Sequence, residues 1–102
     1  MSQENMSFES FEQAPTKQSV IESLRATPGD FALLGKYLEA KEAAASSALD
    51  NLNINIETAE IYRDAGLREA AHDAYTDALT QAWQMGEDEL YEKIQDELEK
   101  LQ

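Results

Sequence analysis

The sequence contains no cysteine among its 102 residues. Disulfides, thiolate nucleophiles and cysteine-ligated metal sites are therefore excluded, and the composition suits a reducing compartment. No apolar run approaches the ~18 residues of a membrane-spanning helix, and the N-terminus lacks the charged-then-apolar pattern of a secretion signal. We therefore expect a cytoplasmic protein that does not engage a membrane.

Basic residues are scarce, since 8 lysines and arginines stand against 21 acidic residues and give a net charge of -13. A field of this sign repels DNA, RNA and anionic lipid and attracts basic partners. We therefore expect no direct nucleic acid binding. Apolar residues make up 42% of the chain, which is too many for wholesale disorder and indicates a folded acidic domain.

The residue types that carry catalysis or bind metals are also few. The only histidine, His72, lies off the apolar stripe of its helix, beside Asp73 and one turn from Glu69, which favours a solvated side chain over a catalytic base. There is no glycine-rich phosphate loop, no EF-hand loop and no repeated Glu-x-x-His pair. The sequence therefore predicts a protein that is not an enzyme and has no cofactor and no metal.

The first 14 residues are polar and acidic and show no sustained periodicity, so we expect residues 1–14 to form a flexible acidic tail and residues 15–102 to form a single helical domain. Phe8 and Phe11 lie three residues apart in this tail. One hypothesis is that they form a short motif that orders when it docks on a partner. The alternative is a tail without a binding role.

Two prolines and four glycines leave few places where helices can break. Thr16 is a candidate N-cap for a short first helix, and the turn at 27–30 ends it, with Asp30 available to cap the next helix. From Phe31 to about Leu52 the spacing predicts one long helix. Gly35 inside it suggests close contact with a crossing helix.

Residues 51–56 alternate polar and apolar side chains, a pattern typical of a strand. No second strand is available to pair with them, and Asn53 or Asn55 is a good N-cap for a helix that continues through Tyr62. Gly66 is placed to end that helix.

The next helix is predicted from Leu67 to about Met85, ending at Gly86. Its small and apolar residues follow helical spacing on one face, which must be buried. Most are alanine, so the partner helix must come close, with Tyr75 and Trp83 as the only bulky side chains of the face. These residues are Ala70, Ala71, Ala74, Tyr75, Ala78, Leu79, Ala82 and Trp83.

The last segment, 87–102, carries Leu90, Ile94, Leu98 and Leu101 on one stripe and predicts a terminal capping helix. Seven acidic residues against two lysines leave its other side strongly charged. This side is either a solvated outer face or a row of carboxylates that imitates the phosphates of a nucleic acid. The row comprises Glu87, Asp88, Glu89, Glu92, Asp96, Glu97 and Glu99.

Residues 55–83 resemble a tetratricopeptide repeat, a helix-turn-helix unit in which small residues mark the contacts between paired helices. The resemblance rests on the spacing of Ala59, Tyr62, Gly66, Ala71, Tyr75 and Ala78. Asn55 and Trp83 depart from it, at the family's tryptophan and closing proline positions. Residues 28–35 look like the start of an earlier, degenerate unit. The resemblance implies an all-α array of about five helices in antiparallel hairpins, with one good unit at about 55–86.

In such repeats the first helix of each unit lines the inner surface. By this resemblance the surface would present Asn53, Ile56, Glu60, Arg63 and Asp64. Because Ile56 and Glu60 occupy places where a clamp for a terminal carboxylate wants cations and amides, a basic or amphipathic protein segment fits this surface better.

We therefore expect a non-catalytic protein–protein interaction module, an adaptor or a regulatory subunit. One alternative is an acidic inhibitor that mimics nucleic acid on a basic partner, and another is a small helical chaperone for a secreted or assembling subunit. Because an array this short has few units to stabilise it, a homodimer is a further possibility.

Overall fold

The structure is a computed structural model that describes residues 15–102, so Phe8 and Phe11 of the predicted docking motif lie outside the described residues. The described part consists of five helices and has no strand, which confirms the all-α prediction and the helical assignment of residues 51–56. The helices are α1 (Lys17–Ala26), α2 (Ala32–Ala44), α3 (Ala48–Asp64), α4 (Arg68–Met85) and α5 (Asp88–Lys100).

The two ends of α1 lie where the sequence predicts them. Thr16 is the N-cap, and its hydroxyl accepts a hydrogen bond from the Ser19 amide at 3.0 Å. After the turn at 27–30, the Asp30 carboxylate accepts from the Ala32 amide at 3.1 Å and so satisfies a backbone donor at the start of α2.

The predicted long helix from Phe31 to Leu52 is wrong, because α2 ends at Ala44 and α3 begins at Ala48. Ser47 is the N-cap of α3 and accepts from the Asp50 amide at 3.1 Å. The Asp50 carboxylate in turn accepts from the amide of Ser46 at 2.9 Å. The first bond satisfies a backbone donor that the start of a helix leaves free, and the second holds the residue before the cap, so the chain breaks here despite its alanines. The predicted N-caps Asn53 and Asn55 both lie inside α3.

Gly66 and Gly86 end α3 and α4 in the left-handed conformation, with φ of 84° and 72°. After Gly66 the Leu67 amide donates to the Tyr62 carbonyl, and after Gly86 the Glu87 amide donates to the Ala82 carbonyl, each at 2.9 Å. Both turns are Schellman motifs, which glycine adopts without steric cost. The predicted stops are therefore confirmed.

Helices α3 and α4 form an antiparallel hairpin. Asn55 in the middle of α3 bonds to Gln81 near the end of α4, whereas Arg63 at the end of α3 bonds to Tyr75 earlier in α4. The contact is lined by small residues, and α5 closes the same core. This C-terminal cluster contains Leu52, Ile56, Ala59, Ala71, Tyr75, Ala78, Ala82 and Ile94.

The prediction that Trp83 is a buried member of the α4 face is wrong, because its side chain is 71% exposed. Trp83 lies in the last turn of α4, so Tyr75 is the only one of the two bulky side chains predicted on this face that is buried. In α5, the predicted stripe faces this core, with Ile94 buried and Leu90, Leu98 and Leu101 half-buried.

The N-terminal cluster joins α1, α2 and the last turns of α3. It contains Val20, Ile21, Leu24, Leu34, Tyr37, Ile61 and Ala65. Gly35 does not permit a close helix crossing, because a Cβ built there would have no neighbouring heavy atom within 4 Å. That expectation is therefore wrong, and the glycine lies on the exposed side of α2.

Candidate interaction surfaces

The five residues predicted to line an inner surface on α3 do not form one site. Ile56 is only 6% exposed and belongs to the C-terminal cluster, so its predicted presentation to a partner is wrong. Asn53 lies near α2, whereas Glu60, Arg63 and Asp64 lie near α1 and α5 at the other end of the helix. The predicted surface is thus split along α3.

Arg63 connects three helices through its guanidinium. Its Nε lies 2.9 Å from an Asp64 carboxylate oxygen, and its Nη1 lies 2.9 Å from Glu97 on α5 and 3.0 Å from the Tyr75 hydroxyl on α4. The hydrogen bond to Arg63 lowers the pKa of Asp64, and the hydrogen bond to Asp64 raises the pKa of Arg63. Burial raises the pKa of Tyr75 to about 12, although the nearby Arg63 charge opposes this rise.

Helix α1 is attached to α3 at two points on the same side. Lys17 contacts Glu60 at 2.8 Å, and Arg25 donates to the backbone carbonyl of Asp64 at 2.8 Å. Arg25 follows Lys17 in α1, and its partner Asp64 follows Glu60 in α3. The two helices α1 and α3 therefore run in the same direction. Together with the Arg63 contacts, these bonds commit Glu60, Arg63 and Asp64 to interactions within the chain.

Asn53 lines an open cleft of about 230 Å³ between α2 and α3, together with Lys41, Asp50 and Glu57. Tyr37 donates to Glu57 at 2.5 Å, and Lys41 lies 3.8 Å from Glu57 and 5.4 Å from the centre of the Tyr37 ring. Burial, followed by the bond to Glu57, raises the pKa of Tyr37. The cleft is polar, and its charged groups are already partnered.

A second cleft is more apolar than the first and exposes Trp83, a residue whose helical spacing favours a place in the core. It lies between α4 and α5, measures about 200 Å³ and is lined by Leu79, Thr80, Trp83 and Tyr91. We call it the aromatic cleft. Leu79 and Tyr91 are half-buried against the C-terminal cluster, so they form a fixed floor beside the exposed Trp83 indole. An exposed tryptophan on such a floor is typical of a protein contact.

The signal for this cleft is present in the sequence as a distribution of charge. From Glu69 to Glu92 there are seven acidic residues and no lysine or arginine. Asp77 stands one helical turn before Thr80, and Asp88 stands one turn before Tyr91, which places carboxylates on both helices beside the cleft. The aromatic cleft therefore lies within a stretch of the chain whose charged residues are all acidic.

Phe31 is the other largely exposed aromatic side chain described, at 48%. Its ring meets Tyr62 edge-on with centroids 6.4 Å apart, so one side of it is already covered. The nearby opening includes Arg68 as well as Glu69, which gives it no preference for either charge. It is a weaker candidate than the aromatic cleft.

His72 lies on the solvent side of α4, with its side chain 53% exposed and its Nδ1 3.7 Å from Asp73. It borders an opening of about 410 Å³ shared with Arg68, Glu69 and Leu101. Within residues 15–102 no three histidine, aspartate or glutamate side chains converge as metal ligands would.

The carboxylate row predicted on α5 is interrupted. Glu97 is turned toward Arg63 and is only 17% exposed, and Lys100 lies 3.5 Å from both Asp96 and Glu97. These contacts raise the pKa of Lys100, with the Glu97 charge as the main cause. Two members of the row are thus engaged inside the chain.

None of the five helices described is both long and apolar enough to cross a bilayer. Comparisons of the chain with protein-family models, with curated proteins and with solved structures give no match.

Proposed function

We propose that this protein is a non-catalytic interaction module that binds a basic or amphipathic segment of another protein. The observation that supports this most is the imbalance of charge left on its surface. Five of the eight basic side chains are bonded within the chain: Lys17, Arg25, Lys41, Arg63 and Lys100. The chain has 21 acidic and 8 basic residues, so most of its carboxylates have no cation of the same chain to oppose them.

The architecture supports a repeat-like scaffold of the tetratricopeptide kind. Ala59, Ala71, Tyr75 and Ala78, four positions that carry the resemblance, are completely buried in the α3–α4 hairpin. The common direction of α1 and α3 agrees with an array in which the first helices of successive units lie side by side, with α1 rather than the segment at 28–35 as the first helix of the earlier unit. Short arrays of this kind act by presenting helix surfaces to other chains.

The proposal is tested with a synthetic peptide of about 20 residues that carries leucines at helical spacing and lysines elsewhere. A fluorescein label reports binding by anisotropy when the full chain is titrated. We expect binding that weakens as salt is raised, because exposed charges are screened beyond about 10 Å at 0.1 M.

The matched control is the same peptide with glutamate in place of every lysine. Equal binding of the two peptides, or no binding of the lysine peptide at low salt, would contradict the proposed function. The variant Glu60→Lys tests the surface predicted on α3. Because Glu60 is held by Lys17, we expect this variant to bind almost as well as the original chain.

A further inference from the structure

We infer that the aromatic cleft is the docking surface and that its occupant is an amphipathic helix with a basic polar face. This inference rests on the proposed function and names the surface at which the partner segment binds. The cleft joins an exposed indole to a half-buried floor, and that combination fits an apolar side chain inserted from outside. Neither the polar cleft at Asn53 nor the paired charges on α3 provide an apolar surface of this kind.

Shape and charge both favour a helix. Thr80 and Trp83 are exposed on α4, and Tyr91 lies across from them on α5. The aromatic cleft is therefore a groove between two helices. A helix places apolar side chains three and four residues apart along such a groove. Its remaining positions then meet the acidic rim that includes Asp77 and Asp88, where lysine or arginine is favoured.

The same charges exclude a second copy as the preferred occupant. Two chains of net charge -13 repel one another, and the cleft lies within a 24-residue stretch that has no lysine or arginine. A basic segment lowers this repulsion when it binds. We therefore assign the cleft to a different protein.

Trp83 is the single tryptophan of the chain, so its fluorescence reports on this cleft alone. The lysine–leucine peptide described above contains no tryptophan. We expect its addition to shift the Trp83 emission to shorter wavelength, because a docked helix removes the indole from water. Unlabelled peptide should give the same dissociation constant by this shift as labelled peptide gives by anisotropy.

Three variants locate the site. Trp83→Ser, followed by anisotropy, should weaken binding roughly tenfold or more, as expected for a central aromatic contact. Asp77→Lys should weaken binding and reduce its salt dependence. The matched control is Leu49→Ser, which removes an apolar side chain that is 40% exposed at the start of α3, and it should bind as the original chain does. Because Trp83 is largely exposed, circular dichroism should show that its variant remains folded.

The outcomes separate the inference from the proposed function. If the peptide binds but Trp83→Ser binds equally well and the emission does not shift, the cleft assignment fails and the proposed function stands. If neither peptide binds, both fail. If emission shifts with protein concentration alone and sedimentation shows a dimer that Trp83→Ser abolishes, the occupant is a second copy and the inference is overturned.

Discussion

The N-terminal and C-terminal clusters both pack helices against one another, but they do so with side chains of different size. The N-terminal cluster fills the space between helices with large residues such as Leu24, Leu34 and Tyr37. The C-terminal cluster places alanines at the α3–α4 contact, and Ala59, Ala71 and Ala78 are completely buried. Large side chains hold helices apart and supply buried area, whereas alanine lets the backbones approach and leaves no room for more atoms. The two regions should therefore fail under opposite changes.

The largest effect is expected from removing volume in the N-terminal cluster. Leu24 is 1% exposed, so Leu24→Ala leaves a cavity and should lower the free energy of unfolding by about 2–5 kcal/mol. Urea denaturation followed by circular dichroism measures this loss. Leu49→Ala is the control, because Leu49 is 40% exposed and its loss should cost about 1 kcal/mol or less. Equal costs would show that Leu24 is not packed as described.

Adding volume should damage the C-terminal cluster instead. Ala78→Leu forces a larger side chain into the completely buried contact between α3 and α4 and should cost about 1–3 kcal/mol. The same substitution at Ala40, which is exposed on α2, should change stability by no more than about 0.5 kcal/mol. A tolerated leucine at position 78 would contradict close helix packing at this contact.

Two glycines sharpen the comparison because alanine should have opposite effects at them. Gly66 has a φ of 84°, so Gly66→Ala should destabilise the hairpin by about 1–2 kcal/mol. Gly35 lies inside α2 with free space around it, so Gly35→Ala should stabilise the protein by about 0.5–1 kcal/mol. Thermal unfolding of both variants measures the difference. A loss of stability at Gly35 would mean that a neighbour crowds this position after all.

The smallest effect concerns the charges that connect the two regions. The pKa of Asp64 is lowered by Arg63, so the carboxylate contributes stability above its unfolded pKa of about 4, and this contribution is lost as pH falls through the folded value. Asp64→Asn should cost less than about 1 kcal/mol at pH 7, because the pair is partly exposed. Unfolding at several pH values should show the two proteins converging below about pH 4. A gap that widens in acid would contradict this linkage.

The helix ends that depend on one residue type were predictable from the sequence. Gly66 and Gly86 stop helices because they alone adopt a left-handed backbone without strain, and Thr16 caps α1 with its own hydroxyl. The break between α2 and α3 was not predicted, since alanine is the best helix former and the hydrophobic spacing continues across it. The relevant signal was Ser47 followed three residues later by Asp50, a capping pattern that overrides propensity.

The candidate site was less predictable than the fold. Helical spacing places Trp83 beside the buried face of α4, but spacing does not say where the neighbouring helix stops covering that face. Ile56 shows the reverse error, since its assignment to the inner, partner-facing surface came from the resemblance while its side chain lies in the core. Which side of a helix is covered depends on contacts between elements, and a local pattern does not record them.

Helix α3 contributes to both clusters, and its neighbours in space are mostly its neighbours in sequence. A chain organised in this way has to close only short loops to reach its native contacts, so its folding should be fast, on the order of microseconds to milliseconds. If either cluster unfolds, one side of α3 loses its packing, and the stability of the other cluster falls as well. Amide hydrogens in the middle of α3 should consequently be the last to exchange with deuterium.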